Sequence, residues 1–363
     1  MIKQIYRSPD VSEENPILRS AERKSGLNAA AIELHDLQKQ LNENEPDPVV
    51  SGKELLFFRE NPGTFLKPCP CTPGVLGCGY EVLHWAENCP FDCHYCALQS
   101  YFPHKFNVVF TNFHDCLEEV RRYLKSNDKP KRIGTGEFTD SLALEFMLDT
   151  VPELVSIFAE SRNAVFEIKT KSLNIEPLNG LTHKGRTVTA WSLNPDSVIR
   201  EIEKKTPGLE ARLEAAATSS KWGYALAFHF DPIVHIRNWK EEYGTVLESL
   251  FAAVPAQRIA WISLGTFRFP PVFKNFLDAR IPGCSLFSPE FELSSDGKYR
   301  YPIEIRREIY TFMHRTIRQY SPLPVVYLCM ERNAVWKEIF ETVPAGKGDL
   351  NRLLYESAVR AGK

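Results

Sequence analysis

The sequence predicts an α/β fold built from six strand–helix units. From about residue 80 onward, strand-like apolar runs alternate with stretches of helical period. Strands separated by helices imply right-handed crossovers and a parallel sheet. A cysteine-rich loop follows the first of these strands, and in parallel α/β barrels chemistry gathers where strands end and loops begin.

The elements follow in chain order. Residues 1–52 are polar and charged and read as an N-terminal helical extension, with Ile32, Leu34, Leu37 and Leu41 marking the buried stripe of a helix over 29–41. A linker at 42–48 leads to a cysteine-containing loop over 53–79. The barrel region, 80–285, opens with a strand at 80–85. It continues with a helix at 113–124, a strand at 131–136 ending in glycine, and a helix at 142–159. Strands at 165–170 and 187–193 precede a helical stretch at 196–221, broken near Pro207-Gly208. A strand at 224–230, a helix at 239–253 and a strand at 258–264 complete the set. Residues 286–363 read as a C-terminal hairpin and helical region. Within it 290–293 and 298–301 alternate in polarity on either side of the turn Ser294-Ser295-Asp296-Gly297.

Composition narrows the class. The 363 residues are 43% hydrophobic and 25% charged, an ordinary globular balance. The net charge of −2 means that a nucleic-acid site must be a local patch. No apolar run approaches the roughly 20 residues needed to span a membrane, and the first residues are not apolar enough for a signal peptide. The nine cysteines, an odd number, are expected to stay reduced in the cytoplasm.

Cys89, Cys93 and Cys96 lie within eight residues. Their thiolates can converge on one soft metal centre. Three is one short of the four that close a [4Fe–4S] cluster or a structural zinc site, so one coordination position stays open for chemistry. Two other readings of the trio are a zinc site completed by His94 and thiols that simply pack.

The C-x3-C-x2-C spacing resembles the radical S-adenosylmethionine (AdoMet) enzymes. That resemblance implies a partial (β/α)6 barrel, a [4Fe–4S] cluster held by the three cysteines, and AdoMet on the cluster's free iron. Gly134-Thr135-Gly136-Glu137, at the end of the second strand, resembles the motif that binds the AdoMet amino group. Glycines let a backbone approach a ligand, and a carboxylate accepts from an ammonium. Lys171, Ser192 and Asn194 end the third and fourth strands, where contacts to the AdoMet carboxylate and ribose are expected; a solvated lysine and helix-capping residues are the plain alternative. His229 and Asp231 end the fifth strand and are further candidates.

A closer resemblance, over roughly residues 60–340, is to the spore photoproduct lyase family. It rests on Cys93-His94-Tyr95-Cys96-Ala97-Leu98-Gln99, on Thr170-Lys171, on Trp191-Ser192-Leu193-Asn194 and on the stretch from Ser288 through Tyr301. It implies hydrogen abstraction from a cross-linked thymine pair in DNA, return of a hydrogen by a cysteine, and assistance from tyrosines flanking the last cluster cysteine. Tyr95 is one such tyrosine. Two departures stand out. Ala97 occupies the second tyrosine position, and no cysteine lies near Glu137-Phe138-Thr139-Asp140. Cys329 is a substitute hydrogen donor, with a small buried strand residue as its alternative role.

Other groups bear on partners. Cys69, Cys71, Cys78 and His84 have a spacing that a second metal could use, although C-x-C is unusual for zinc. Lys298, Tyr299, Arg300 and Tyr301 interleave cations with aromatics, as a strand that meets DNA or RNA would; a charge-protected edge strand is the alternative. Arg306, Arg307, Arg315 and Arg318 read as a solvated helical face. The expected partners are nucleic acid and a reducing protein such as flavodoxin or ferredoxin. Rival readings are a radical enzyme acting on a small metabolite or peptide, and a non-enzymatic zinc module that binds nucleic acid.

Overall fold

A computed structural model describes residues 2–72 and 74–363. The strands in chain order are β1 Gln4–Arg7, β2 Ala29–Ala31, β3 Leu55–Arg59, β4 Leu66–Pro68, β5 Tyr80–Leu83, β6 Ala86–Glu87, β7 Asp92–Cys93, β8 Asn107–Phe110 and β9 Lys131–Gly134. They continue with β10 Ala164–Thr170, β11 Thr187–Ser192, β12 Glu203–Lys204, β13 Ala225–Ile233, β14 Ile259–Thr266, β15 Arg268–Phe269, β16 Glu292–Leu293, β17 Tyr299–Arg300 and β18 Val325–Leu328.

The main sheet runs β18-β14-β13-β11-β10-β9-β5-β4. Every pairing in it is parallel except that of β4 with β5. The six strands expected from the sequence are β5, β9, β10, β11, β13 and β14. β18, from the C-terminal region, adds a seventh parallel strand. β11 and β14 are buried along their whole length because both faces of a parallel sheet are covered, so they read as near-continuous apolar runs.

The curled sheet is a partial barrel. Among the described residues its edges β4 and β18 do not pair. The loop over 69–79 bridges the gap between them: Val75 forms an antiparallel bridge with Arg332, and Leu76 N donates to Glu331 O at 3.2 Å. The helix Lys347–Ala361 lies across the N-terminal ends of the strands. Asn351 Nδ2 donates to Pro130 O at 2.7 Å, and Arg360 Nη2 to Ile259 O at 2.9 Å. Gly79 has φ +73, and a Cβ there would fall 2.7 Å from Asn351 Cβ, so only glycine lets this helix seat.

Two sequence expectations are corrected and a third, the break in 196–221, is refined. The helix placed at 29–41 begins only at Leu34, because Ala29–Ala31 pairs with β1 in a second sheet ordered β2-β1-β3-β8-β6. Small side chains carry no period, so neighbouring strands decided that segment. The helix at 142–159 is two helices, Glu145–Leu148 and Val151–Ala159, separated by Asp149 at φ +59. The break in 196–221 holds β12, which reaches across to the cysteine loop. By contrast the helix Phe113–Ser126 matches its pattern, burying Phe113, Cys116, Leu117 and Val120; burial of such a phenylalanine or leucine is worth roughly 1.5–3 kcal/mol. Among the described residues no helix is long and apolar enough to cross a membrane.

Candidate active site

The chain leaves β5 in the barrel, passes through β6 in the second sheet, and turns through the three cysteines before the short helix Leu98–Tyr101. The turn begins at Asn88, whose φ of +63 is stabilised by its side chain: Nδ2 donates to Phe106 O at 2.9 Å. β7 pairs antiparallel with β12, setting Cys93 opposite Glu203. His94 N donates to Ile202 O at 2.8 Å, and Gln99 Nε2 to Cys93 O at 2.7 Å. Arg280 clamps the outside of the turn, with Asp92 at 2.7 Å and Asp47 at 2.8 Å.

Beneath the turn lies a buried polar network. Tyr95 Oη donates to Glu203. Glu203 also accepts from Arg212 Nη2 at 2.5 Å and from Asn194 Nδ2 at 2.8 Å. Tyr243 Oη donates to Asn194 Oδ1 at 2.7 Å. The Glu203 and Arg212 side chains are both fully buried. Burial pushes the Glu203 carboxyl up, but Arg212 and Lys171 outweigh it and hold the group below the usual carboxylate range. Lys171 Nζ stands 5.6 Å from the centre of the Tyr95 ring.

Three further polar pairs line the barrel toward the strand ends. Glu137 pairs with Lys169. His229 Nε2 meets Glu167 at 2.7 Å, and its Nδ1 meets Ser263 Oγ at 2.7 Å. Arg268 Nη1 donates to Asp231 at 2.9 Å, and Arg268 Nη2 lies 3.9 Å from Cys329 Sγ. Burial raises the Cys329 thiol well above its ordinary value, and Asp231 adds to that. Cys329 therefore keeps its hydrogen.

The structure gathers the cysteine turn, Tyr95, Lys171 and Asn194 into one network and sets Glu137, Asp231 and Cys329 around the same mouth. Ser192 is buried, and its carbonyl accepts from Arg212 Nη1 at 2.9 Å. Gly134 and Gly136 make room for neighbouring protein. A Cβ at Gly134 would fall 1.9 Å from Tyr80 Oη, and one at Gly136 would fall 2.6 Å from Lys169 Cβ. The four-residue nucleic-acid strand also needs correction. Arg300 is buried and bonded to Asp296 at 2.5 Å, and Tyr301 is fully buried, accepting from His235 N at 3.1 Å. Lys298 and Tyr299 alone of the four retain accessible surface. His84 does not join Cys69, Cys71 and Cys78: its ring nitrogens meet Lys67 at 2.9 Å and Glu87 at 3.2 Å.

The donor set of the turn suits an iron–sulfur group: three soft thiols on one short loop, with Cys93 buried. Burial pushes the Cys89 thiol up to about 12, with added repulsion from Asp140 and Cys96; metal coordination deprotonates such a thiol outright. Among the described residues no three His, Cys, Asp or Glu side chains are gathered closely enough to hold a metal ion as they stand. The fit is therefore one of donor chemistry and spacing, not of a ready-made cage.

Sequence reasoning missed Lys169, Glu203, Arg212, Arg268 and Arg280. Lys169 had a signal: Glu167 and Lys169 alternate with Phe166 and Ile168 along an otherwise apolar strand.

A family model for spore photoproduct lyase matches residues 79–328. The spore photoproduct lyase of Bacillus subtilis is 30% identical over 209 residues, which span 56% of this chain and 61% of that protein. The spore photoproduct lyase of Clostridium acetobutylicum is 25% identical over 242 residues, covering 64% and 72%. A solved spore photoproduct lyase complexed with dinucleoside spore photoproduct superimposes with a TM-score of 0.79 at 21% identity, covering 91% of this chain and 99% of that one. A variant of a spore photoproduct lyase solved with bound AdoMet and the same dinucleoside gives 0.78. These structures share the partial-barrel fold.

Proposed function

The chain belongs to the spore photoproduct lyase family, and from that premise we propose that it acts on a nucleobase lesion in DNA. It is a radical AdoMet enzyme whose cofactors are a [4Fe–4S] cluster and AdoMet. Bound together, they supply a 5′-deoxyadenosyl radical able to take a hydrogen atom from a substrate. The observation that carries the reading is the cysteine turn, tied at the mouth of a parallel partial barrel to Glu203 through both backbone and Tyr95.

Each residue then has a task. Cys89, Cys93 and Cys96 hold the cluster. Glu137 offers its carboxylate to an incoming ammonium in exchange for Lys169, which frees Lys169 to face a carboxylate. Lys171 and Asn194 complete the ligand's surroundings from β10 and β11. Tyr95 stays fixed as a donor to Glu203, with Lys171 beside its ring. Cys329, a protonated thiol beside Arg268, is the hydrogen source in place of the cysteine missing near Phe138. Lys298 and Tyr299 face the nucleic acid. A low-potential carrier of the flavodoxin or ferredoxin kind delivers the electron, and the reduced thiols suit a cytoplasmic setting.

The test is an anaerobic assay of the reconstituted, dithionite-reduced protein with AdoMet and UV-irradiated DNA rich in spore photoproduct. Restored thymine above a Cys93→Ala control supports the proposal. Deoxyadenosine without restored thymine keeps the radical chemistry but moves the substrate elsewhere. A metabolite or peptide then becomes the better reading, consistent with Ala97 and the missing donor cysteine near Phe138.

A further inference from the structure

A second group of thiols stands apart from the cysteine turn. Cys69 and Cys71 flank Pro70 in the loop that bridges the open edges of the barrel, and their Sγ atoms are 4.0 Å apart. The backbone doubles back on itself here. Cys71 N donates to Cys69 O at 2.7 Å, and Cys69 N to Tyr80 O at 3.0 Å. Both thiols are partly exposed, and the exposed Pro68 and Pro70 flank Cys69. Cys78 borders the pair, its backbone bonding to Cys71, whereas Cys116 is buried in the core, Cys284 Sγ lies 3.9 Å from His94 Nδ1, and Cys329 faces Arg268.

The pair is polarised. The two thiols share a sulfur–sulfur hydrogen bond, and that bond, aided by Lys347, holds the Cys71 thiol below its ordinary value against the opposing effect of burial. The same bond, together with burial and the charge of Glu137, raises Cys69. A thiolate beside a protonated thiol is the arrangement from which dithiols exchange with disulfides.

We propose that Cys69 and Cys71 form a redox-active dithiol, oxidised to a disulfide across Pro70 by exchange with a low-molecular-weight disulfide. The Cys71 thiolate attacks one sulfur of the oxidant, its S–S bond breaks, and a mixed disulfide forms. The expelled thiolate takes the Cys69 proton. Cys69 sulfur then attacks Cys71 sulfur and expels the second small thiolate, which takes a proton from water. Two electrons pass from the protein to the oxidant. The neighbouring Thr72 accepts from Lys298 Nζ at 2.9 Å, so the couple adjoins the β16–β17 hairpin. This property goes beyond the proposed lyase reaction and does not depend on it.

The test titrates the reconstituted holoprotein with oxidised glutathione under anaerobic conditions, alkylates it with iodoacetamide, and maps the chymotryptic peptide 67–76 by mass spectrometry. The expected peptide has lost two hydrogens and carries no alkyl group. In the reduced protein at neutral pH, Cys71 alkylates at least about tenfold faster than Cys69. Cys69→Ser traps glutathione on Cys71, and Cys71→Ser leaves Cys69 unmodified. The proposal falls if both thiols stay alkylatable under excess oxidised glutathione. It also falls if wild-type protein stops at glutathionylated Cys71. Stoichiometric zinc that protects both thiols and is lost in Cys69→Ser would replace the dithiol with a metal site.

Discussion

The two sides of the barrel mouth are held by different means. On one side the cysteine turn is tied down by Glu203, Arg212, Asn194 and Tyr243, buried groups brought from distant parts of the chain. On the other, β16 and β17 contribute two residues each to a small hairpin. Its tip is tethered by Lys298 to Thr72 and by Arg332 to Ser295. The contrast separates two demands. A reactive group needs ligands held to a fraction of an ångström, and packed, hydrogen-bonded supports supply that. A surface that meets a large substrate is carried on exposed turns whose side chains vary freely.

The largest effect should come from the cysteine turn itself. Cys93→Ala removes one of three ligands, and we expect loss of the cluster and of AdoMet cleavage with the fold retained. Iron content, absorbance and circular dichroism read this directly, and persistent AdoMet cleavage in the variant would sink the assignment of the turn. Next comes the support beneath it. Arg212→Met leaves Glu203 buried without its cation, a loss of about 3–5 kcal/mol. Urea unfolding of the variant measures it. Glu203→Gln in the same chain should recover much of the loss, because no uncompensated charge then remains.

Most of this contrast was visible in the sequence on one side only. The spacing of Cys89, Cys93 and Cys96 announced the turn, and alternating strand and helix periods announced the six strands around it. Glu203 was invisible because its partner Tyr95 lies 108 residues away, and a two-residue strand has no period to detect. The hairpin was legible as a turn between alternating segments. Its exposure was not, since alternation names two faces without saying which one is buried; β17 packs against β15, and that pairing decides that Arg300 turns inward.

A smaller, pH-dependent effect also belongs to the cysteine side. His104 stacks between Phe102 and Phe106, with ring centres 5.4 and 5.1 Å away. Burial pulls its pKa down to about 4, against the attraction of Glu87. The unfolded chain, with the ordinary value near 6.5, binds the proton more readily. Stability from this group is therefore complete above about pH 6.5 and is lost as pH falls toward 4, by at most about 3 kcal/mol. Chemical denaturation of wild type and His104→Phe at pH 7.5 and pH 5 checks the sign. The gap between them should change in favour of the variant at pH 5, and an unchanged gap would refute the assignment.

The smallest effect sharpens the comparison most, because it separates two cations on one strand arm. Lys298 is partly exposed, and among the described residues its ammonium bonds to Thr72. Burial lowers its pKa, and nearby Arg268 adds to that, so the ammonium gains from meeting a phosphate. Arg300, two residues on, is buried against Asp296. Lys298→Ala should weaken DNA binding by less than about tenfold at moderate salt and reduce the slope of log K against log salt by about one, the signature of one lost phosphate contact. Arg300→Ala should leave that slope unchanged and lower the melting temperature instead, since it strips a partner from Asp296. If both variants change the slope equally, the hairpin opens on DNA and Arg300 leaves Asp296 to bind it. If neither does, the mouth takes its substrate without this arm, and the two sides differ in construction for a reason other than nucleic-acid binding.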